Sequence, residues 1–360
     1  MQIINPITYP GWDNLLLLTP DYSFFHSSAW ARVLVESYGY APKYFTVMDD
    51  AKLLALIPLM EVNSFLTGKR GISLPFADYC DPICNGSIGF VLLFNQVIEF
   101  GRKHDWKYLE LRDGSSLNPD SFSLNSEKTR NSEPGTRNVI PSLTYLGHVL
   151  DLSRSEEEVF SNFRGSTKRS TLKAMKEGVE VKINHSLESL NEFYRLNGMT
   201  RKEHGLPPQP FYFFKKVYDH VISKNLGMVV LASLGQENIA GAIYFHLGKK
   251  AVFKYGASDK KFQHLRANNL VMWEAIKWYS QNGYRSLCFG RTEPENRGLL
   301  QFKSGWGTTE QPIHYYQYDF KMGSFVRGSS KVTGFHNKIF RNIPIPISNK
   351  IGALLYKHVG

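Results

Sequence analysis

Five consecutive segments of the second half limit the fold most. Met228–Leu234, Ala240–Leu247 and Ala251–Gly256 are apolar runs of strand length separated by short polar gaps, the first of them Gln236-Glu237-Asn238. Asn268–Asn282 then changes to helical spacing, with Leu270, Trp273, Ile276 and Tyr279 on one side. Gly283 stops it before a further strand at Arg285–Phe289. Strands joined by tight turns, then a helix, then a strand, give an α+β (mixed α/β) domain. Upstream, a helical pair over Ser155–Gly178, a strand at Val179–Ile183, and helices at Leu187–His204 and Phe211–Lys224 complete it. Gly205-Leu-Pro-Pro-Gln-Pro210 breaks the chain between the two helices.

The first half has a similar element order without any repeat in residue identity. Ser27 or Ser28 caps a helix ending at Tyr38 before Gly39, and Tyr44–Met48 with Leu53–Val62 form a hairpin. Gly71–Asn85 is loop-like, Ile88–His104 is helical, and Lys107–Arg112 is a strand. Residues 113–142 hold seven Ser, four Asn and three Pro and read as a loop excursion before a strand at Tyr145–Leu152. At 360 residues, two domains are expected. Their boundaries are set at 1–150 and 151–322, with a basic amphipathic tail over 323–360.

Charge is divided unevenly. Residues 1–150 carry 12 Lys+Arg against 15 Asp+Glu (12 − 15 = −3), and residues 151–360 carry 31 against 17 (31 − 17 = +14), giving the net +11. The second half therefore suits an anionic partner: a polyphosphate, a nucleic acid, a nucleotide- or lipid-linked sugar, or a membrane surface. Solvated helix faces account for the same charge. The tail segments Lys331–Arg341 and Asn349–His358 have the composition of helices that lie on a membrane or pack back onto the body; both readings stand. Cys80, Cys84 and Cys288 form no disulfide framework and suggest a reducing compartment. The N-terminus lacks a signal-peptide pattern and no apolar run is long enough to span a bilayer, so a cytoplasmic protein is expected. The eleven histidines are scattered, and no metal site is expected. Hydrolase, kinase and dehydrogenase signatures are missing as well.

The stretch Gly298-Leu-Leu-Gln-Phe302-Lys303-Ser-Gly-Trp306-Gly307 is a poor pattern for a bland surface loop, since glycines cost conformational entropy and let backbone approach a ligand. Taken alone, Lys303 reads as an amphipathic side chain lying beside a core Phe and Trp. The stretch resembles the C-terminal signature of FemAB-like acyltransferases, proteins of GNAT fold, through Gly298, Leu299, Phe302, Lys303, Trp306 and Gly307. A second stretch, Phe163–Val179, resembles the family's basic helix ending Lys-Ala-x-Lys-x-Gly-Val and puts Arg169, Lys173 and Lys176 on one face. Met199–Pro208 and Leu74–Tyr79 also fit the wider family.

The resemblance implies two tandem GNAT-like subdomains and a direct acyl transfer without a covalent enzyme intermediate. Lys303 then stabilises the oxyanion, and Phe302 packs against the donor. Arg169, Lys173, Tyr255, Asn269 and Arg291 contact donor or substrate; Asp78 and Tyr79 either touch the acceptor or only shape a turn before Pro82; His204 is either a general base or an interdomain polar contact. In GNAT acetyltransferases a Gln/Arg-x-x-Gly-x-Gly/Ala turn holds the coenzyme A pyrophosphate. The matching frame Gln263-His-Leu-Arg266-Ala267-Asn268 has no glycine at either position, so the expected donor is an aminoacyl-tRNA, with acyl-CoA as the alternative. Asn268 is expected to cap the following helix.

The expected function is N-acyl or aminoacyl transfer to an amine of a nucleotide- or lipid-linked cell-envelope precursor, of peptidoglycan or polysaccharide. It needs no bound cofactor and no DNA, and takes place in the cytoplasm or at the inner face of the membrane. An acyl-CoA-dependent N-acetyltransferase acting on an amino sugar is the alternative within the class. A non-catalytic protein that grips RNA or anionic lipid is the alternative outside it.

Overall fold

The computed structural model describes residues 1–49, 52–84, 87–113, 139–328 and 340–359. The serine-rich stretch 114–138, the acidic hairpin turn at 50–51 and most of the basic segment 331–341 lie outside them. The fold is mixed α/β, as expected, and the chain divides into two compact units. One comprises 1–145 and 312–330, the other 146–311 and 331–359.

In the first unit β1 (Gln2–Ile4), β2 (Ala41–Asp49), β3 (Lys52–Ser64), β4 (Gly68–Ile72), β6 (Tyr108–Asp113) and β13 (Thr309–Asp319) follow one another across the sheet. All neighbours are antiparallel except β4 and β6, which are joined through helix α3 (Ser87–Lys103). The short β5 (Ile83–Cys84) adds to β3, and β14 (Ser324–Val326) adds to β13. Phe94 and Val97 of α3 pack with Ile57, Leu59, Leu109 and Leu111 of the sheet. Helix α1 (Trp12–Leu17) precedes α2 (Ser28–Tyr38), which starts where the Ser27 hydroxyl accepts from the Trp30 N–H. It ends at Gly39, left-handed at φ 72°.

In the second unit the strand order is β7 (Leu143–Asp151), β12 (Ser286–Thr292), β11 (Lys250–Ser258), β10 (Glu237–Leu247), β9 (Gly227–Leu234) and β8 (Glu180–Asn184). The parallel pair of β11 with β12 needs a crossover, which is helix α8 (Ala267–Gln281). Strand β10 is buried along most of its length because both faces are covered. Ala240, Ala242 and Tyr244 face the α8 core with Leu270, Trp273 and Ile276. On the opposite face a Cβ at Gly241 would meet Phe193 of helix α6 (Leu187–His204). Around this frame stand α4 (Glu156–Ser161), α5 (Gly165–Lys176), α7 (Phe211–His220), α9 (Arg297–Ser304) and α10 (Ile345–Val359).

The division differs from the expected boundaries in two places. Residues 312–319 return to the first unit because β13 pairs antiparallel with β6, Asp319 opposite Tyr108 and His314 opposite Asp113. The C-terminal segment is not a separate tail. Helix α10 packs on the second unit, where Arg201 donates to the Tyr356 hydroxyl at 3.0 Å and Gly352 lies so close to the Pro208 carbonyl that a Cβ would clash. The Gly298–Gly307 stretch, expected as a segment shaped for ligand approach, is mostly the helix α9. Two of its glycines serve packing. A Cβ on Gly305 would stand 2.5 Å from the Thr167 hydroxyl, and Gly307, at φ 71°, would place one 3.1 Å from the Asn162 carbonyl. Gly298 has open space around it. Among the described residues no helix is long and apolar enough to cross a membrane.

Two stability predictions follow from this packing. Gly307→Ala is expected to cost about 1–2 kcal/mol from the left-handed backbone alone, whereas Gly298→Ala is neutral or gains up to about 1 kcal/mol as a helix residue; urea unfolding of the two variants compares them. The second concerns His246, whose Nε2–H donates to the Asn225 carbonyl at 2.9 Å while Nδ1 accepts from the Tyr279 hydroxyl at 3.0 Å. Burial outweighs the carbonyl contact and pushes the imidazole down from 6.5 to about 4. Between those values the unfolded chain takes up a proton that the native state refuses, so stability falls as pH drops through the window and is unaffected above it. The expected loss is about 3 kcal/mol, read as a drop in urea midpoint between pH 7 and pH 4.5 that His246→Gln reduces.

Candidate active site

Strands β11 and β12 run together over only three residue pairs, Lys250–Ser286, Ala251–Leu287 and Val252–Cys288. Beyond them β11 continues to Ser258 and β12 to Thr292 without pairing to each other. A crevice beyond the carboxyl ends of parallel strands is where open α/β sheets bind ligands, and both strands here lead into it with polar main chain.

The end of β11 is fixed by Thr200 of α6, whose hydroxyl donates to the Ser258 carbonyl at 3.1 Å and accepts from the Ser258 N–H at 3.0 Å. Asp259 then caps a single 3-10 turn over Lys260–Leu265, accepting from the Lys261 N–H at 2.9 Å. Arg266 follows in the left-handed conformation, φ 62° and ψ 27°, and α8 begins at the next residue. The expected cap is corrected here. Asn268 does not cap α8, because the turn at Arg266 sets the helix start one residue earlier. Its side-chain amide donates to the Ser258 hydroxyl at 3.2 Å. A cavity of about 140 Å³ opens at this helix start, lined by Ser258, Phe262, Arg266, Asn268, Asn269 and Phe302 among others. The N–H groups and dipole of a helix N-terminus favour an anion there.

On the β12 side, Lys303 is 3% exposed and its ammonium donates to the carbonyls of Gly290 at 3.0 Å and Arg291 at 3.1 Å. Those carbonyls point its way because β12 bulges against β7 between Cys288 and Arg291, with Gly290 left-handed at φ 68°. Helix α9 is set by Asn296, which accepts from the Leu299 N–H at 3.2 Å. Arg164 ties it down by donating to the Gln301 carbonyl at 3.3 Å and the Ser304 hydroxyl at 3.1 Å. Phe302 leans edge-on to Trp306 and lines the cavity, while Lys303 points inward to β12.

The remaining sequence candidates scatter. Asn269 joins Phe302 at the cavity. Arg291 is half-buried and lends Lys303 its carbonyl. Tyr255 faces away from the cavity, donating to Gln209 at 2.8 Å and packing on Phe214 of α7. Arg169 and Lys173 are exposed on α5, and His204 is exposed at the end of α6.

Asp78 and Tyr79 belong to the first unit, in a loop with Leu74 at φ 44° and Phe76 at φ 62°. Arg112 holds this strained backbone, donating to the carbonyls of Leu74 at 3.3 Å and Ala77 at 2.9 Å, and the Tyr315 hydroxyl donates to the Asp78 carbonyl at 2.8 Å. Sequence reasoning missed His148, fully buried on β7. Only the pairing of β7 with β12 brings it to the Lys303 cluster, and no local motif marks it.

Residues 161–304 match the acetyltransferase (GNAT) domain family. An 89-residue stretch, 22% of this chain, is 32% identical to the lipid II:glycine glycyltransferase of Staphylococcus saprophyticus subsp. saprophyticus, and it spans 21% of that enzyme's length. Among solved structures, FemX overlays with a TM-score of 0.67 at 14% identity, over 89% of this chain and 96% of its own. A tandem GNAT protein from the clavulanic acid biosynthesis pathway overlays with a TM-score of 0.50 at 11% identity, over 86% and 94%. The GNAT-type match lies in the unit that holds Lys303, and over most of its length the chain shares the fold of FemX.

Proposed function

We propose that this protein is an acyltransferase that moves an aminoacyl group from an aminoacyl-tRNA to an amine of a cell-envelope precursor, a peptidoglycan or polysaccharide building block. The observation that carries the reading is the parting of β11 and β12 after three residue pairs, with a cavity at the α8 start beside the end of β11 and the buried Lys303 ammonium on the carbonyls of β12. Its similarity to a lipid II:glycine glycyltransferase supports an aminoacyl donor and a lipid-linked acceptor. The cytoplasmic face of the membrane is the setting in which the two would meet.

In this mechanism the acceptor amine attacks the ester carbonyl of the donor directly; collapse of the intermediate forms the amide, breaks the ester C–O bond and releases the terminal ribose hydroxyl of the tRNA, which takes up the proton the amine loses. Negative charge develops on the carbonyl oxygen as the tetrahedral intermediate forms, and the Lys303 ammonium supplies the opposing charge from a site with little water, where it acts most strongly. The α8 start takes donor phosphate or carbonyl oxygen, with Asn269 and Phe302 shaping the wall. The exposed Arg169 and Lys173 on α5 draw in the tRNA backbone. Asp78 and Tyr79 are assigned to the acceptor; His204 and Tyr255 are given no chemical step.

The donor choice rests on Arg266. The left-handed turn expected of a glycine is present, but an arginine side chain occupies it and lines a cavity of about 140 Å³. The side chain takes up room at the bend where a glycine would leave the backbone open to a close-lying pyrophosphate.

The test titrates coenzyme A and a panel of aminoacyl-tRNAs against the wild type, Lys303→Met and Lys215→Ala, the last on α7 outside the crevice. Turnover with one aminoacyl-tRNA is expected to fall about 10²–10³-fold in Lys303→Met, the usual cost of losing one oxyanion donor, and to persist in Lys215→Ala. Saturable coenzyme A binding and turnover would reassign the donor. Binding of every polyanion alike, lost equally in both variants and with salt, would make it a non-catalytic binder.

A further inference from the structure

His148 is fully buried, and among the described residues neither ring nitrogen has a hydrogen-bond partner; a Glu310 carboxylate oxygen lies 3.4 Å from Nε2. Strand pairing fixes its place. Val149 lies opposite Cys288 and Gly147 opposite Arg291, so His148 falls against the bulge at Phe289–Gly290 whose carbonyls hold Lys303. The Thr292 hydroxyl, one residue beyond Arg291, and the Trp306 indole N–H are also fully buried and without partners among the described residues. The Trp306 main-chain N–H closes the turn on the Lys303 carbonyl at 3.2 Å. Burying a polar group without a partner forfeits its hydration, so the bare His148 ring is costly unless it serves something beyond packing.

The charges acting on the imidazole are Lys303 from α9 and Glu310 from the start of β13. Burial first, then Lys303, hold it below the ordinary histidine range, and Glu310 pulls it back up. Arg291 pairs with Gly147, one residue out of step with His148, so its side chain leaves by the other face of the sheet.

We propose that His148 is a positioning residue for Lys303. As a neutral ring it leaves the ammonium seated on the Gly290 and Arg291 carbonyls. Once protonated it sets a second buried positive charge against that ammonium and unseats it, with Glu310 deciding the pH at which this happens. The inference rests on the role given to Lys303 above, but its central observable does not. Two cations cannot share a buried site without one yielding, so the arrangement holds above the titration of His148 and is lost as pH falls through it.

The experiment follows the Lys303 side chain by NMR in protein labelled with 13C-lysine, its signal assigned by loss in Lys303→Arg. A step in Lys303 shift is expected below pH 6.5, the ordinary histidine value. His148→Gln abolishes the step. Glu310→Gln, at a half-exposed side chain, moves it to lower pH, because the charge that favours imidazolium is gone. The acid limb of the kcat profile moves with it while KM stays constant.

A step unchanged in His148→Gln, or one that stays in place or moves upward in Glu310→Gln, overturns the proposal. If the step behaves as expected while Lys303→Met keeps full turnover, the coupling stands and the catalytic role of Lys303 falls.

Discussion

The second unit depends on how briefly β11 and β12 stay together. Parallel strands are held by slanted hydrogen bonds and buried on both faces. These two keep that contact for three residue pairs and then part. The separation is maintained from both sides: Thr200 clamps the end of β11 at Ser258, and the bulge of β12 against β7 turns the carbonyls of Gly290 and Arg291 out of the regular ladder. A strand that stayed paired would have no carbonyls to offer a lysine and no crevice to offer a ligand.

Lys303 is the clearest consequence. A buried ammonium is unfavourable unless hydrogen bonds replace its hydration. The bulge supplies two carbonyls for that purpose, and α9, pinned through Arg164 and Asn296, sets the stem at the right height. The first unit uses a similar device with a different cation. Arg112, buried beside Glu110, gathers the carbonyls of a loop whose Leu74 and Phe76 adopt backbone angles that L-residues disfavour. In each unit a cation compensates an irregular backbone.

Much of the frame was legible because it is local. The α6 helix over Leu187–His204 and the α2 helix with its Ser27 cap and Gly39 stop were readable from periodicity and end signals. Features that need partners distant in sequence were not. The return of 312–319 to the first unit depends on pairing with β6, some two hundred residues earlier, and nothing in Ile313–Asp319 itself announces it. The glycines at 305 and 307 were read as room for a ligand, and their neighbours turned out to be Thr167 and Asn162. Phe302 and Asn269, read from separate motifs, line one cavity, whereas Tyr255 hydrogen-bonds Gln209 and does not line it. His148 carries no signal at all until β7 lies beside β12.

Arg266 has one more implication, for the history of such a fold. A left-handed turn normally selects glycine, and where the fold makes an arginine tolerate it, backbone shape and side-chain identity have become separate variables. The route of the main chain into α8 is dictated by the Asp259-capped turn before it and the packed helix after it. The residue at the corner is therefore available to change what the crevice admits without disturbing the scaffold. One exchangeable side chain at a fixed bend can thus alter the lining of the cavity while the backbone around it keeps its course.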